Sequence, residues 1–216
     1  MSDFKVTSLE KSIFNFVSII FHPIFIPTIL IYLTFSLFSS YFIFNPNYVL
    51  ALTTLFFLLT VIIPLVVLIL FYYFKFIQSF YLQSKEERIL VSLTMNIFYV
   101  FATYSIRNIY IHPNIYLAFL TVPIVSTLFS VTIFLYPKVS MHTFGLGSLI
   151  GVLLFYRYKY ILISNFEIVI FLFMVSGLIM TARLILKAHD YRDVIWGFII
   201  GICESFFSIL CVYYIF

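Results

Sequence analysis

The chain has 216 residues, 64% of them hydrophobic and 9% charged, with a net charge of +4 and a mean hydropathy of +1.17. These values exclude a soluble globular domain and a nucleic-acid-binding module, and they describe a chain whose solvent is a bilayer. No Asp, Glu, Lys or Arg occurs from Ser12 to Phe74. The first apolar run is too long for a cleavable signal peptide and continues into more membrane sequence, so the whole chain is expected to be integral protein.

Taken in order, the apolar runs predict helices at 13–40, 49–74, 89–106, 115–136, 142–157, 162–182 and 194–216. The first is long and carries Pro23 and Pro27, which predict a kink or an interfacial start, so the expectation is an all-α polytopic transmembrane bundle of six to seven helices in one domain. Turn chemistry separates the runs at Asn45-Pro46-Asn47, Ser84-Lys85-Glu86-Glu87-Arg88, His112-Pro113-Asn114 and Pro137-Lys138. The 142–157 run is short, as suits a helix that begins inside a cavity. Gly147 and Gly151 form one Gly-x3-Gly pair and Gly197 and Gly201 another, which predicts close helix packing at both. Cys203 and Cys211, eight positions apart on one helix, lie roughly 12 Å apart along its axis and cannot pair with each other.

Seven spans put the N-terminus and the loops near 75–88, 137–141 and 183–193 on one side. That side carries Lys5, Lys11, Lys75, Lys85, Arg88, Lys138, Arg183, Lys187 and Arg192 against Arg107, Arg157 and Lys159 on the other. Read literally, the positive-inside rule makes it the cytoplasmic side. Removing Arg88, Lys138 and Arg183 as candidate phosphate ligands weakens the bias without reversing it.

The chemistry concentrates in an Arg-x5-His-x3-Asp string, Arg183, His189 and Asp193, just before the last apolar run. A guanidinium, an imidazole and an acid to orient it suit phosphoryl transfer. If 189–193 is helical, His189 and Asp193 share a face, and Arg183 joins them only if a loop intervenes at about 184–188.

These residues resemble the type-2 phosphatidic acid phosphatase superfamily, membrane lipid phosphatases related to vanadium haloperoxidases. The third motif of that family, Ser-Arg-x5-His-x3-Asp, is matched from Ala182 to Asp193 except at its serine. The second, Pro-Ser-Gly-His, is matched at Ser140 and His142 within Val139-Ser140-Met141-His142. In the first, Lys-x6-Arg-Pro, Arg88 matches the arginine, Tyr81 stands at the lysine and Ile89 at the proline, with Lys85 one turn before Arg88 as a substitute. The resemblance spans residues 85–193 in correct order. It implies that His189 attacks phosphorus to form a phosphohistidine, that Asp193 orients it, and that His142 protonates the leaving oxygen and then activates water. Arg183, Arg88, Lys138 and Lys85 would bind the phosphate oxygens, with no metal and no other cofactor. The implied substrate is a lipid phosphate such as phosphatidic acid, phosphatidylglycerol phosphate or a polyprenyl diphosphate, and the implied location is a bacterial inner membrane. Ser140 would cap the helix that carries His142.

Plainer roles exist for several of these residues. His22 and His112 each precede a proline at a helix end, where a structural role is expected. Arg88 beside Glu86 and Glu87 suits a solvated loop, and Lys138 suits a topology signal. Glu204, about 16 Å deeper than Asp193 on nearly the same helical face, is expected to be neutral and hydrogen-bonded. Two rival functions follow: a catalytically silent subunit of a membrane complex, suggested by the degraded first two motifs, and a haem protein with His142 and His189 as axial ligands, which nothing in the spacing requires.

Overall fold

The structure is a computed structural model and describes residues 7–39, 43–82, 84–109, 111–136, 138–160 and 166–215. Lys5, Pro137 and the ends of three expected spans, Ser40, 162–165 and Phe216, lie outside them. Every described element is helical: α1 (Ser8–Ile20), a 3₁₀ turn (Pro23–Phe25), α2 (Ile26–Phe38), α3 (Pro46–Phe57), a π segment (Leu58–Ile62), α4 (Ile63–Tyr73), α5 (Lys85–Ser105), α6 (Pro113–Leu135), α7 (Met141–Lys159), α8 (Phe166–Ile185) and α9 (Tyr191–Ile215).

Local chemistry sets the helix starts. Thr7 with Glu10 and Ser84 with Glu87 form capping boxes at α1 and α5, in which each side chain satisfies an amide the helix leaves open. His22, Asn45 and His112 do the same work ahead of Pro23, Pro46 and Pro113, each accepting the amide two residues on at 3.3, 2.9 and 3.3 Å. The expected 13–40 helix is therefore broken between Ile20 and Ile26, as its prolines predicted. Pro64 acts on the next run. Its ring clashes with the carbonyl four residues back, and the turn before it widens into the π segment.

Five segments are long and apolar enough to cross a bilayer: Ser8–Phe38, Pro46–Tyr73, Pro113–Leu135, Phe166–Ile185 and Tyr191–Ile215. The expectation of six or seven is not met on that measure, because the runs at 89–106 and 142–157 became helices of mixed character. α5 opens on Lys85-Glu86-Glu87-Arg88, and α7 carries His142 and three glycines and ends on Arg157 and Lys159. α7 is solvated by protein instead of lipid, with every residue from Thr143 to Leu153 buried.

What buries α7 is chiefly α9. A Cβ at Gly147 would collide with the Phe198 carbonyl, one at Gly151 with the Ile202 carbonyl and Ser205 hydroxyl, and one at Gly201 with the Phe144 carbonyl. Both Gly-x3-Gly pairs thus face each other, and the backbones touch because those side chains are absent. Around this pair, α2, α3 and α6 pack Ile31, Phe38, Phe56 and Phe119, with the last two rings edge-to-face at 5.0 Å. Hydroxyl bonds tie α5 to α6, Ser92 with Ser130 at 2.8 Å and Thr103 donating to the Phe119 carbonyl at 3.0 Å. Glu204 accepts a 2.6 Å bond from Thr132 of α6, the structural role expected of it.

Gly201→Ala is expected to lower the melting temperature in detergent by the equivalent of about 1–3 kcal/mol, through overpacking against a main-chain carbonyl. Gly177→Ala, on an α8 face with nothing within 4 Å, is expected to leave it unchanged or raise it by up to about 1 kcal/mol.

Candidate active site

Three connecting segments converge at one end of the bundle. Ser140, which opens α7, donates its N–H to the Asp193 carbonyl in the first turn of α9 at 3.2 Å. Arg88, in the first turn of α5, donates from Nε to the Leu82 carbonyl at 2.8 Å and from a terminal nitrogen to the Val139 carbonyl at 3.3 Å. Glu87 beside it accepts the Gln78 N–H at 2.6 Å, which fastens the 74–84 loop over the start of α5. These bonds join segments 78–88, 138–140 and 189–193, which are remote in sequence.

α8 ends two residues later than the expected loop, at Ile185. The Ala188 N–H bonds to the Arg183 carbonyl and the Lys187 N–H to the Leu184 carbonyl, with Lys187 left-handed at φ 54°. This is a Schellman turn built without glycine, which is why no turn residue marks it in the sequence. It reverses the chain within a few residues, so Arg183 stays on α8 while His189 precedes α9, and the two come to line one space.

His189 is oriented from its Nδ1 side. Nδ1 lies 3.0 Å from the Lys138 carbonyl, an atom that only accepts, so Nδ1 carries the proton and Nε2 keeps its lone pair. Asp193 Oδ2 stands 3.7 Å from the same nitrogen. That carboxylate is buried and well held: Tyr136 donates to Oδ1 at 2.7 Å and the Asp190 N–H to Oδ2 at 3.1 Å. The Asp193 bond raises the Tyr136 hydroxyl above its ordinary value, since the phenol is more useful to the carboxylate with its proton on. Burial, then the charges of Arg183 and Arg88, push the His189 imidazole down to about 4, against smaller opposing pulls from Asp193 and the Lys138 carbonyl. His189 is accordingly neutral at physiological pH, the form a nucleophile needs.

The space these groups line is a cavity of about 770 Å³. Its polar end holds Arg88, Arg183, His142, His189, Tyr81 and a residue assigned above only to a helix end, His22. His142 Nε2 lies 3.2 Å from the Ser18 carbonyl of α1, which assigns the proton to Nε2 and leaves Nδ1 open. The His22 and His142 rings meet edge to face at 5.2 Å. Arg183 Nε is buried with no hydrogen-bond partner among the described residues, and so is Ser140 Oγ, which does not make the expected capping bond to α7. Beyond this end the walls are mostly apolar, with Ser92 and Ser148 among them, running along α5 from Arg88 to Tyr99 and along α7 from His142 to Val152. Eleven and ten residues of helix make that about 15–16 Å of depth.

Two of the seven site residues from the sequence stand apart. Lys138 is exposed and gives the site its main-chain carbonyl; its ammonium is not part of the cavity wall. Lys85 lays its Nζ over the Phe134 ring at 4.6 Å, also off the cavity wall. Asp193 stands behind His189 rather than in the cavity. Among the described residues, no three His, Cys, Asp or Glu side chains are grouped to hold a metal ion. Comparison with protein-family models, with curated proteins and with solved structures gives no match.

An imidazole titration of His189 by NMR in detergent is expected to show the neutral ring persisting as pH falls through 6.5, with protonation only near 4. The sign follows from the causes: burial and then two nearby guanidiniums penalise the cationic ring, so the proton enters late. Saturating inorganic phosphate, an anion that offsets those guanidiniums, is expected to move the midpoint upward.

Proposed function

We propose that the protein is a membrane lipid phosphatase of the type-2 phosphatidic acid phosphatase kind, working through a phosphohistidine on His189. The observation that carries this reading is Arg183: a buried guanidinium nitrogen without a hydrogen-bond partner among the described residues, in one cavity with Arg88, His142 and His189. A buried donor left open costs free energy, and a phosphate oxygen is the ligand whose charge and geometry suit a guanidinium fork.

The reaction follows from the atoms. His189 Nε2 attacks phosphorus in line while the phosphorus–oxygen bond to the lipid breaks, and Arg88 and Arg183 offset charge on the equatorial oxygens. Positive charge develops on the His189 ring as the bond forms, and Asp193 with the Lys138 carbonyl stabilises it from the Nδ1 side. His142, which takes a proton on Nδ1 as the anionic headgroup enters beside it, delivers that proton to the leaving oxygen. In the second step it takes a proton from water as that water attacks the phosphohistidine, and inorganic phosphate leaves with His189 restored.

The apolar part of the cavity supports an amphiphilic substrate. A depth of about 15–16 Å accepts an extended chain of roughly a dozen carbons below the headgroup. We take α5 and α7 as crossing the membrane with the five apolar segments, which brings the bundle to seven spans, the upper end of the expected six to seven. The headgroup site then lies at one membrane face of what we take to be a bacterial inner membrane. The alternative of a silent subunit draws on a specific observation: Tyr81 stands at the family lysine, and the ammonium groups of Lys85 and Lys138 lie off the cavity.

Purified protein in detergent is expected to release phosphate from phosphatidic acid, phosphatidylglycerol phosphate or a polyprenyl diphosphate in the presence of chelator. His189→Ala is expected to abolish release, and Asp193→Asn and Arg183→Ala to lower kcat by about 10²–10⁴-fold. No release from folded wild-type protein on any of these substrates would overturn the reading in favour of the silent subunit. Val125→Trp, which fills the apolar part of the cavity, is expected to raise KM for long-chain phosphates several-fold and to spare a short-chain phosphate.

A further inference from the structure

His22 caps a helix, and so does His112, and the comparison between them isolates something else. In both, a His-Pro dipeptide opens a helix and Nδ1 accepts the amide two residues on at 3.3 Å. His112 does this away from the cavity, stacked on Phe38 at 6.5 Å. His22 does it on the cavity wall, with its ring edge-to-face against His142 at 5.2 Å and an interplanar angle of 82°. Capping and ring stacking account for His112 without reference to the cavity. It does not explain why the second such cap stands against the histidine assigned to proton transfer.

The hydrogen bonds say what the pair does. An Nδ1 that accepts an amide proton cannot bind a further proton, so as long as the 3₁₀ turn is capped His22 is a neutral ring with its hydrogen on Nε2. His142 is tied the other way round, Nε2 to the Ser18 carbonyl at 3.2 Å, so its Nδ1 is the open position. Both ties come from the same break between α1 and α2, which supplies the Ser18 carbonyl from one side and the His22 ring from the other. The other titratable groups that line the cavity are Arg183 from α8, Arg88 and Tyr99 from α5, His189 ahead of α9 and Tyr81 from the 74–84 loop. Arg183 acts electrostatically on both rings, so two cationic imidazoles side by side would be strongly disfavoured. A pair in which one member is kept neutral by a backbone amide avoids that state.

We propose that His22 is a positioning residue of the site: it holds the plane of the His142 ring, shields it from water on one face, and reserves the exchangeable proton for His142 Nδ1. The catalytic meaning of this role rests on the phosphatase reading, whereas the coupling between the two rings does not.

The substitution that separates the roles is His22→Asn, because an asparagine oxygen caps the 3₁₀ turn as the imidazole does but brings no ring. His112→Asn is the matched control, and His22→Ser is a second capping variant should asparagine disturb folding. The titration of His142 by imidazole NMR, in detergent and without substrate, is read beside kcat and KM for phosphate release. With His22→Asn the His142 titration is expected to be displaced from that of wild type as water reaches the ring. kcat is expected to fall about tenfold with KM unchanged, and His112→Asn is expected to match wild type in every reading. A His142 titration identical to wild type in folded His22→Asn protein overturns the proposal, whatever the activity. If wild-type protein releases no phosphate, a displaced midpoint still supports the ring coupling and only the phosphatase reading falls.

Discussion

The close approach of α7 and α9 is the constraint on which the rest depends. Between helices in lipid no hydrophobic force acts, and association rests on dispersion at short range, which requires backbones that can touch. Gly147, Gly151, Gly197 and Gly201 remove the side chains that would hold them apart, and main-chain carbonyls of each helix occupy the space. The starts of the two helices are thereby placed side by side and joined by the bond from Ser140 to the Asp193 carbonyl. His142 is the second residue of α7 and Asp193 the third of α9. A packing requirement in the middle of the bundle is thus what positions groups at its end.

Electrostatics then sets the character of that end. Arg88 and Arg183 face the same cavity although they repel each other, and main-chain carbonyls of Leu82 and Val139 hold Arg88 in place. Burial and those cations keep His189 neutral, and the Lys138 carbonyl turns its free nitrogen away from Asp193. Net positive charge beside an apolar volume is a costly arrangement. An anionic headgroup with a hydrocarbon tail relieves both parts of that cost at once, which is the physical sense of the proposed substrate class.

Legibility in the sequence varied with the range of the interaction. Arg183, His189 and Asp193 could be found because the motif is local, and the intervening loop could be inferred because a continuous helix would put Arg183 on another face. Its position was missed by two residues, since the Schellman turn uses Lys187 where glycine would have announced it. Lys85, one turn before Arg88, and Lys138 were grouped with the phosphate ligands; the Phe134 ring and the exposed surface are where they went. His22 was read as a structural residue at a helix end, where it caps the 3₁₀ turn, yet its second environment could not be seen, because His142 lies 120 positions away along the chain and only the break at Pro23 turns His22 toward it.

The sequence by itself determined that the chain lives in a membrane as an all-helical bundle, where its helices break at proline, and which two helices carry glycines for close contact. Those properties follow from composition, from the geometry of proline and from short-range periodicity, all of which act within a few turns of chain. Only the tertiary structure decided that α7 would be wrapped by protein, that one cavity would unite Arg88, Arg183, His142, His189 and His22, and that the ammonium groups of Lys85 and Lys138 would lie off it. Those outcomes depend on the direction in which each side chain leaves its helix and on what other helices place opposite it, and no local pattern encodes either.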